Sequence, residues 1–157
     1  SGYDIAAANN DHPIIFTKKE NQSVSKKQLI DWDFRDHLFF VHLNKKQNSR
    51  DSIASYRKVL KSKIIQIQKI NELTIALCNC NSLTEFKNLI TRHEKIISNI
   101  IQQKPIKEVL FKNYHGGIKS LGAWGGDFIL ATGNEEDHQY FKNKGFNTII
   151  PFGKMIL

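Results

Sequence analysis

The sequence predicts an α+β fold in which helices are layered on an antiparallel sheet. Short apolar segments with polar turns stand towards both ends of the chain, and two long amphipathic helices occupy the middle. Six of the nine glycines fall within 18 residues, between 116 and 133. The 157 residues show no dividing linker, so we expect one domain over 1–157.

The first elements are short. Residues 2–10 favour a helix, whereas 14–17 and 38–43 favour strands because they are rich in isoleucine, phenylalanine and valine. The polar residues 20–28 between the two strands are predicted to form a loop or a hairpin connection.

Two helices follow. Apolar residues recur at steps of three and four between 53 and 77, and a second stripe of this kind runs from 86 to 101. Ser82 and Glu85 fit a capping box at the start of the second helix, in which each side chain satisfies an exposed amide. Pro105 is predicted to close that helix.

Three short strands and one short helix complete the predicted order of β, β, α, α, β, β, α, β. Segments 118–121, 128–132 and 147–150 favour strands. The helix at 134–144 begins with acidic residues and ends with lysines, as the helix dipole prefers, and Gly145 would end it.

Composition and charge exclude several classes of protein. No apolar run approaches the roughly 18 residues that span a bilayer, so we expect no membrane partner. The net charge is +8, but the lysines form scattered pairs without the interleaved aromatics of nucleic-acid platforms. We therefore expect a solvated basic surface or attraction to small anions, and no nucleic acid.

Cysteine and histidine usage bears on location and on metals. Cys78 and Cys80 are too few for a disulfide scaffold and favour a reducing compartment, which predicts a cytoplasmic protein. No histidine or cysteine spacing matches a metal-ligand pattern, so no metal-site residue is predicted. The chain begins at Ser1 without a start methionine or a leader-like segment, so we expect a piece of a larger protein.

The most informative segment is 119–128, Lys-Ser-Leu-Gly-Ala-Trp-Gly-Gly-Asp-Phe. Glycines at this density let the backbone approach a ligand phosphate and leave amides free to point at an anion. They are equally typical of a tight hairpin between two strands. On the residues alone, both interpretations stay open.

Taken together, the two ends of the chain resemble the GHMP kinases. The segment 1–8, Ser-Gly-Tyr-Asp-Ile-Ala-Ala-Ala, is similar to the Ser-Gly-x-Asp-Val-Ala segment of the phosphomevalonate and mevalonate kinase branch. The segment 119–128 is similar to the third motif of the superfamily, roughly Lys-x-Ser-Gly-Ala-Gly-Gly-Gly-Asp-Cys. The sequence departs from that motif at Leu121, Trp124 and Phe128, which stand where the family has serine, glycine and cysteine. The resemblance covers about 20 residues directly.

This resemblance implies a fold, an activity and partners. The fold would be the C-terminal half of a GHMP kinase, with a ferredoxin-like antiparallel sheet and helices packed on one face. The reaction would be ATP-dependent phosphoryl transfer, with Mg²⁺, to a small acid such as mevalonate or phosphomevalonate. The N-terminal half of the same kinase would carry the main ATP cradle, so the isolated 157 residues should be inactive.

The resemblance also implies roles for single residues. It makes Asp4 the catalytic carboxylate, which orients the acceptor hydroxyl or accepts its proton. It assigns nucleotide or substrate binding to a set in the second motif: Lys119, Ser120, Gly122, Ala123, Trp124, Gly125 and Gly126.

Alternatives remain for the residues and for the whole chain. Asp4 could instead cap the helix that follows it. Trp124 would be strained if the family glycine has a positive φ, so either the loop takes another path or the indole covers the pocket. His93 lies on the apolar stripe and is predicted to be a satisfied core histidine, whereas His115 could touch a ligand. A non-catalytic ligand-binding or regulatory domain and a basic interaction module are the other functions considered.

Overall fold

The computed structural model describes residues 2–18, 22–45, 64–122, 124 and 126–156. Within them the chain is a mixed α+β structure with antiparallel sheets, as predicted. The helices are α1 (Tyr3–Ala8), α2 (Ile64–Asn79), α3 (Leu83–Ile101), α4 (Ile106–Leu110), α5 (His138–Lys142) and α6 (Phe152–Met155). Short 3₁₀ turns precede two of the elements, at Arg35–His37 and Glu135–Asp137.

The strands form two separate sheets. They are β1 (Ile14–Lys18), β2 (Ser23–Lys27), β3 (Leu38–His42), β4 (Ile118–Ser120), β5 (Phe128–Thr132) and β6 (Ile149–Pro151). β1 and β2 pair with each other, and the other four strands lie side by side in the order β4-β5-β3-β6. Every pairing is antiparallel.

The predicted elements are confirmed where the structure describes them, with small shifts at their ends. The segment 20–28 contributes the second strand of a hairpin, which decides between the loop and the hairpin. The predicted helix at 134–144 divides into a 3₁₀ turn and α5, and Gly145 ends it with φ +86°. The first part of the predicted helix over 53–77, residues 53–63, lies outside the described residues.

Helix α3 is capped much as predicted. The Ser82 hydroxyl accepts from the amide of Glu85 at 3.2 Å, and the Glu85 carboxylate accepts from the amide of Asn81 at 3.3 Å. The reciprocal contact therefore reaches the residue before the cap. Gln102 ends the helix in a left-handed conformation, and Pro105 begins α4 and does not itself close α3.

Strand β3 is buried on both faces because it lies inside the four-stranded sheet. Leu38 and Phe40 point towards the long helices α2 and α3, whereas Phe39 and Val41 point towards the short helices α4 and α5. The prediction that helices pack on one face is therefore corrected. Because Leu38–Val41 of β3 are all apolar, both faces of the strand need a cover, and the short helices supply the second one.

The residues that build the two cores confirm this arrangement. One core contains Leu73, Phe86, Leu89, Ile90 and Leu130, and the other contains Ile106, Phe111, Ile118, Ile129 and Phe141. Within the described part of the chain, no helix is long and apolar enough to cross a membrane.

Candidate functional site

The glycine-rich loop, residues 121–127, joins β4 to β5 and so connects two neighbouring strands. Its ends are fixed by backbone hydrogen bonds. The Leu121 amide donates to the carbonyl of Phe128 at 3.2 Å. The amide of Asp127 donates to the carbonyl of Lys45, and its carbonyl accepts from the amide of Leu43, both at 2.7 Å. The hairpin interpretation is therefore confirmed, and the loop is also anchored to the chain that leaves β3.

Gly122 and Asp127 both take the left-handed conformation in this loop, with φ +57° and +53°. Glycine adopts this region without a steric cost, and aspartate is one of the few other residues that tolerate it. The two turns bring the backbone back towards β5. The predicted site residues Ala123 and Gly125 lie outside the described residues, and Gly126 is buried.

A buried carboxylate from α3 lies against this hairpin. Glu94 is only 3% exposed, and one of its oxygens, Oε2, accepts from the Ser120 hydroxyl at 2.9 Å. The other oxygen, Oε1, lies 3.9 Å from the ammonium nitrogen of Lys119. Lys119 Nζ also donates to the carbonyl of Ser120 at 3.2 Å, and about a fifth of its side chain is exposed. The structure thus brings two of the predicted residues, Lys119 and Ser120, together around Glu94.

Trp124 lies inside the protein next to the same carboxylate. Its indole N–H faces Glu94 and stabilises the ionised carboxylate, but it does not reach the geometry of a hydrogen bond. Trp124 is only 9% exposed, so its indole is packed inside the protein and is not open to solvent.

Burial shifts the pKa values of the charged groups in this cluster. Burial raises the pKa of Glu94, and Lys119, Ser120 and Trp124 oppose that shift. Burial lowers the pKa of Lys119, and the Glu94 charge opposes it. Each charge therefore supports the other in a site that water reaches poorly.

His93 is the fifth polar side chain of the cluster. Its Nδ1 lies 4.0 Å from Glu94 Oε1. Burial, followed by the charge of Lys119, lowers the pKa of His93 to about 4, so the ring is neutral at pH 7. It is largely buried, as expected for a core histidine, but Nδ1 has no hydrogen-bond partner among the described residues. The expectation that this histidine is satisfied is wrong.

Glu94 is the functional candidate that sequence reasoning missed. It lies four residues after Ile90 and eight after Phe86, so it occupies the buried face of the α3 stripe. A charged residue at a stripe position was the available signal, because such residues are almost never buried without a partner.

Asp4 is exposed and lies within the first turn of α1. The residue that caps this helix is Gly2, in a left-handed conformation with φ +84°. The alternative that Asp4 is the cap is therefore wrong. This left-handed conformation favours glycine at position 2.

The two motifs are held by different sheets. Helix α1 packs on β1, where Tyr3 contacts Phe16 edge to face with 6.0 Å between the ring centres. The glycine-rich loop belongs to the four-stranded sheet. We predict that Asp4 and the loop border one cleft.

A cavity of about 360 Å³ adjoins Glu94, and its wall includes Thr91, Lys95, Ser98, Lys104, Lys107 and Ile118.

His115 is two-thirds exposed, and its ring lies 3.6 Å from Asp137. Within the described ranges, no group of three histidine, cysteine, aspartate or glutamate residues could hold a metal ion.

No protein-family model matches the chain, and no curated protein is similar enough to match it. The assignment of function therefore depends on the residues and their geometry.

Proposed function

We propose that this chain is the C-terminal half of a GHMP-type kinase with the ferredoxin-like sheet of that superfamily. The complete enzyme would transfer the γ-phosphoryl group of ATP to a small acid such as mevalonate or phosphomevalonate. The observation that supports the proposal is the position of Lys119, two residues before the glycine-rich loop. Lys119 is partly exposed, and a buried carboxylate holds it where the family motif expects a phosphate or acid ligand.

The loop and Lys119 would act by attracting and orienting negative charge. An ammonium group has three N–H donors, and the Ser120 carbonyl takes one of them. The remaining donors can face an anion. In phosphoryl transfer, positioning and charge stabilisation supply most of the catalysis, so a fixed cation suits this reaction.

Asp4 would act on the acceptor. Its carboxylate is exposed in the first turn of α1 and is not the helix cap, so it is free to accept a proton from a hydroxyl or to orient it. The rigid left-handed turn at Gly2 would fix its position.

Mg²⁺ in such enzymes commonly takes one or two carboxylates together with substrate phosphates. The resemblance implies that the N-terminal half carries the main cradle for ATP, and we assign Mg²⁺ to the same half. ATP itself supplies the phosphoryl group.

The test is an assay of the protein encoded by the complete reading frame that contains these 157 residues. It is incubated with ATP and Mg²⁺ and with either mevalonate or phosphomevalonate, and the acid is analysed by mass spectrometry. We expect one of the acids to gain a phosphoryl group. A protein that binds ATP but phosphorylates neither acid would contradict this choice of substrate class.

A second candidate is a non-catalytic ligand-binding domain of the same family. Trp124 favours it, because its indole fills space where the family motif has glycine. In that case, the complete protein binds the acid without turnover, and a Trp124→Gly variant, which restores the family residue, gains transfer activity.

A further inference from the structure

Among the residues that the structure describes, the cluster around Glu94 contains three buried polar atoms without hydrogen-bond partners. They are Glu94 Oε1, His93 Nδ1 and Trp124 Nε1. Buried polar atoms in folded proteins are paired in the great majority of cases, so three in one cluster call for an explanation. All three belong to Glu94 or to side chains that lie close to it, next to the strand that leads into the glycine-rich loop.

Stability alone does not explain this arrangement. The ammonium of Lys119 lies 3.9 Å from Glu94 Oε1, which is too far for a hydrogen bond. A buried ion pair repays its loss of hydration only when its geometry is good and its remaining atoms are satisfied. A hydrophobic residue at position 94 would match the apolar face of α3 without burying a carboxylate.

The positions of the donors suggest what the carboxylate does. Ser120 fixes one oxygen from β4, and Lys119 and Trp124 both face the carboxylate from the hairpin. One buried charge thus acts on two residues before the glycine-rich loop and on one residue within it. The side chain of Lys119 is directed by this attraction while part of it stays in contact with solvent.

We infer that Glu94 is a positioning residue, which holds Lys119 in the position that binds an anionic ligand. It does not itself touch the ligand. This inference rests on the proposed function for its activity measurement, but a second measurement below decides it without any turnover.

The first measurement is a double-mutant cycle in the complete protein, with Glu94→Gln, Lys119→Met and the double variant. Glutamine keeps the shape and the contact with Ser120 but removes the charge. We expect Glu94→Gln to raise, by roughly tenfold, the KM of whichever substrate Lys119→Met affects, with a smaller change in kcat. In the Lys119→Met background, Glu94→Gln should add little, because it acts through Lys119.

The control is Glu72→Gln, which removes the same charge from an exposed position of α2 and should leave KM unchanged. If the effects of Glu94→Gln and Lys119→Met multiply, the two residues act separately and the inference is wrong. It is also wrong if Glu94→Gln only lowers the melting temperature and leaves KM unaltered.

The second measurement uses the 157-residue chain and inorganic pyrophosphate, followed by NMR titration of the backbone amides. We expect binding at residues 119–127 that Glu94→Gln weakens roughly tenfold, again with no further loss in the Lys119→Met background. If the complete protein lacks kinase activity but this result holds, the proposed function fails and the inference stands. A chain that does not bind pyrophosphate at these residues, or that binds it equally well as Glu94→Gln, would overturn the inference.

Discussion

Two carboxylates with opposite surroundings carry the proposed chemistry at the scale of single residues. Asp4 is exposed at the start of a short helix, so it is free to meet a substrate. Glu94 is buried and faces three polar side chains of the hairpin, so we assign it the role of positioning Lys119.

Asp4→Asn separates catalysis from a structural role. The change keeps the shape of the side chain but removes its charge, so kcat of the complete enzyme should fall by about 10²–10⁴-fold with little change in the KM of ATP. Loss of the charge from the first turn of α1 should cost only a few tenths of a kcal/mol in stability. Steady-state kinetics and denaturant unfolding of the same variant check both values. A kcat equal to that of the wild type would remove Asp4 from the mechanism.

His93 predicts a loss of stability in mild acid. Its pKa is about 4 in the folded protein and near 6.5 when unfolded, so between these values the unfolded chain binds more protons. This contribution to the free energy of unfolding is complete above pH 6.5 and is lost as the pH falls towards 4, by up to about 3 kcal/mol. Glu94 has the opposite sign, because its raised pKa stabilises the folded state at low pH.

A His93→Gln variant isolates the histidine from Glu94. Urea unfolding of the wild type and the variant between pH 7 and pH 4 should show that acid destabilises the wild type more than it destabilises the variant. Parallel pH profiles would mean that His93 is solvated and that its surroundings are not as described.

At the scale of the secondary-structure elements, close packing explains several of the glycines. A Cβ on Gly133, just after β5, would collide with the Asp137 carboxylate and would lie 2.5 Å from the Tyr114 hydroxyl. A Cβ on Gly117 would come within 2.7 Å of the Ile90 side chain on α3. Gly117 lies just before β4 and Gly133 just after β5, and both allow the backbone to approach its neighbours closely. No ligand is needed to explain either glycine.

Alanine at Gly133 and alanine at Gly153 should therefore have different effects on the stability of the fold. Gly133→Ala should destabilise the fold by about 1–3 kcal/mol, because buried neighbours must move. Gly153 lies in α6 with no atom within 4 Å of its added Cβ, so Gly153→Ala should be neutral or stabilise by up to about 1 kcal/mol. Thermal unfolding of both variants measures the difference. Equal destabilisation by the two changes would contradict the packing described for β5.

The long elements could be predicted from sequence because their patterns repeat. The stripe of α3 spans five turns, and the first four residues of β3, Leu38–Val41, are all apolar. Helices α4 and α6 have five and four residues, too few for a period to show. The apolar run of β3 did carry the signal that both faces are covered, but its length alone does not say which elements cover them.

The candidate site could be predicted only in part. Lys119, Ser120 and Trp124 were found through their motif, and the structure brings them together. Glu94 lies in α3, 25 residues before Lys119 in the chain. The contact between the two residues depends on how α3 packs against β4. No pattern local to either segment encodes that contact.

At the scale of the whole molecule, the two motifs stand on separate sheets. Asp4 belongs with the β1–β2 hairpin, and the loop belongs with the four-stranded sheet. A single active site therefore requires a ligand that both units reach, together with the phosphate cradle proposed for the N-terminal half.

The isolated 157-residue chain should therefore bind ATP poorly. Without the main cradle we expect a Kd no better than about millimolar and no turnover. Isothermal titration and a product assay on the isolated chain measure both. Phosphoryl transfer by this chain alone would show that the site has been placed wrongly.

Asp4 and the glycine-rich loop are proposed to serve one bound nucleotide and its acceptor. Paramagnetic broadening of backbone amide resonances tests this in the complete protein, with ATP and with Mn²⁺ in place of Mg²⁺. We expect the amides of residues 2–6 and of residues 121–127 to broaden together at the same concentration of Mn²⁺–ATP and to recover when excess Mg²⁺ displaces the Mn²⁺. Broadening at only one of the two segments, or at neither, would show that they do not share a site.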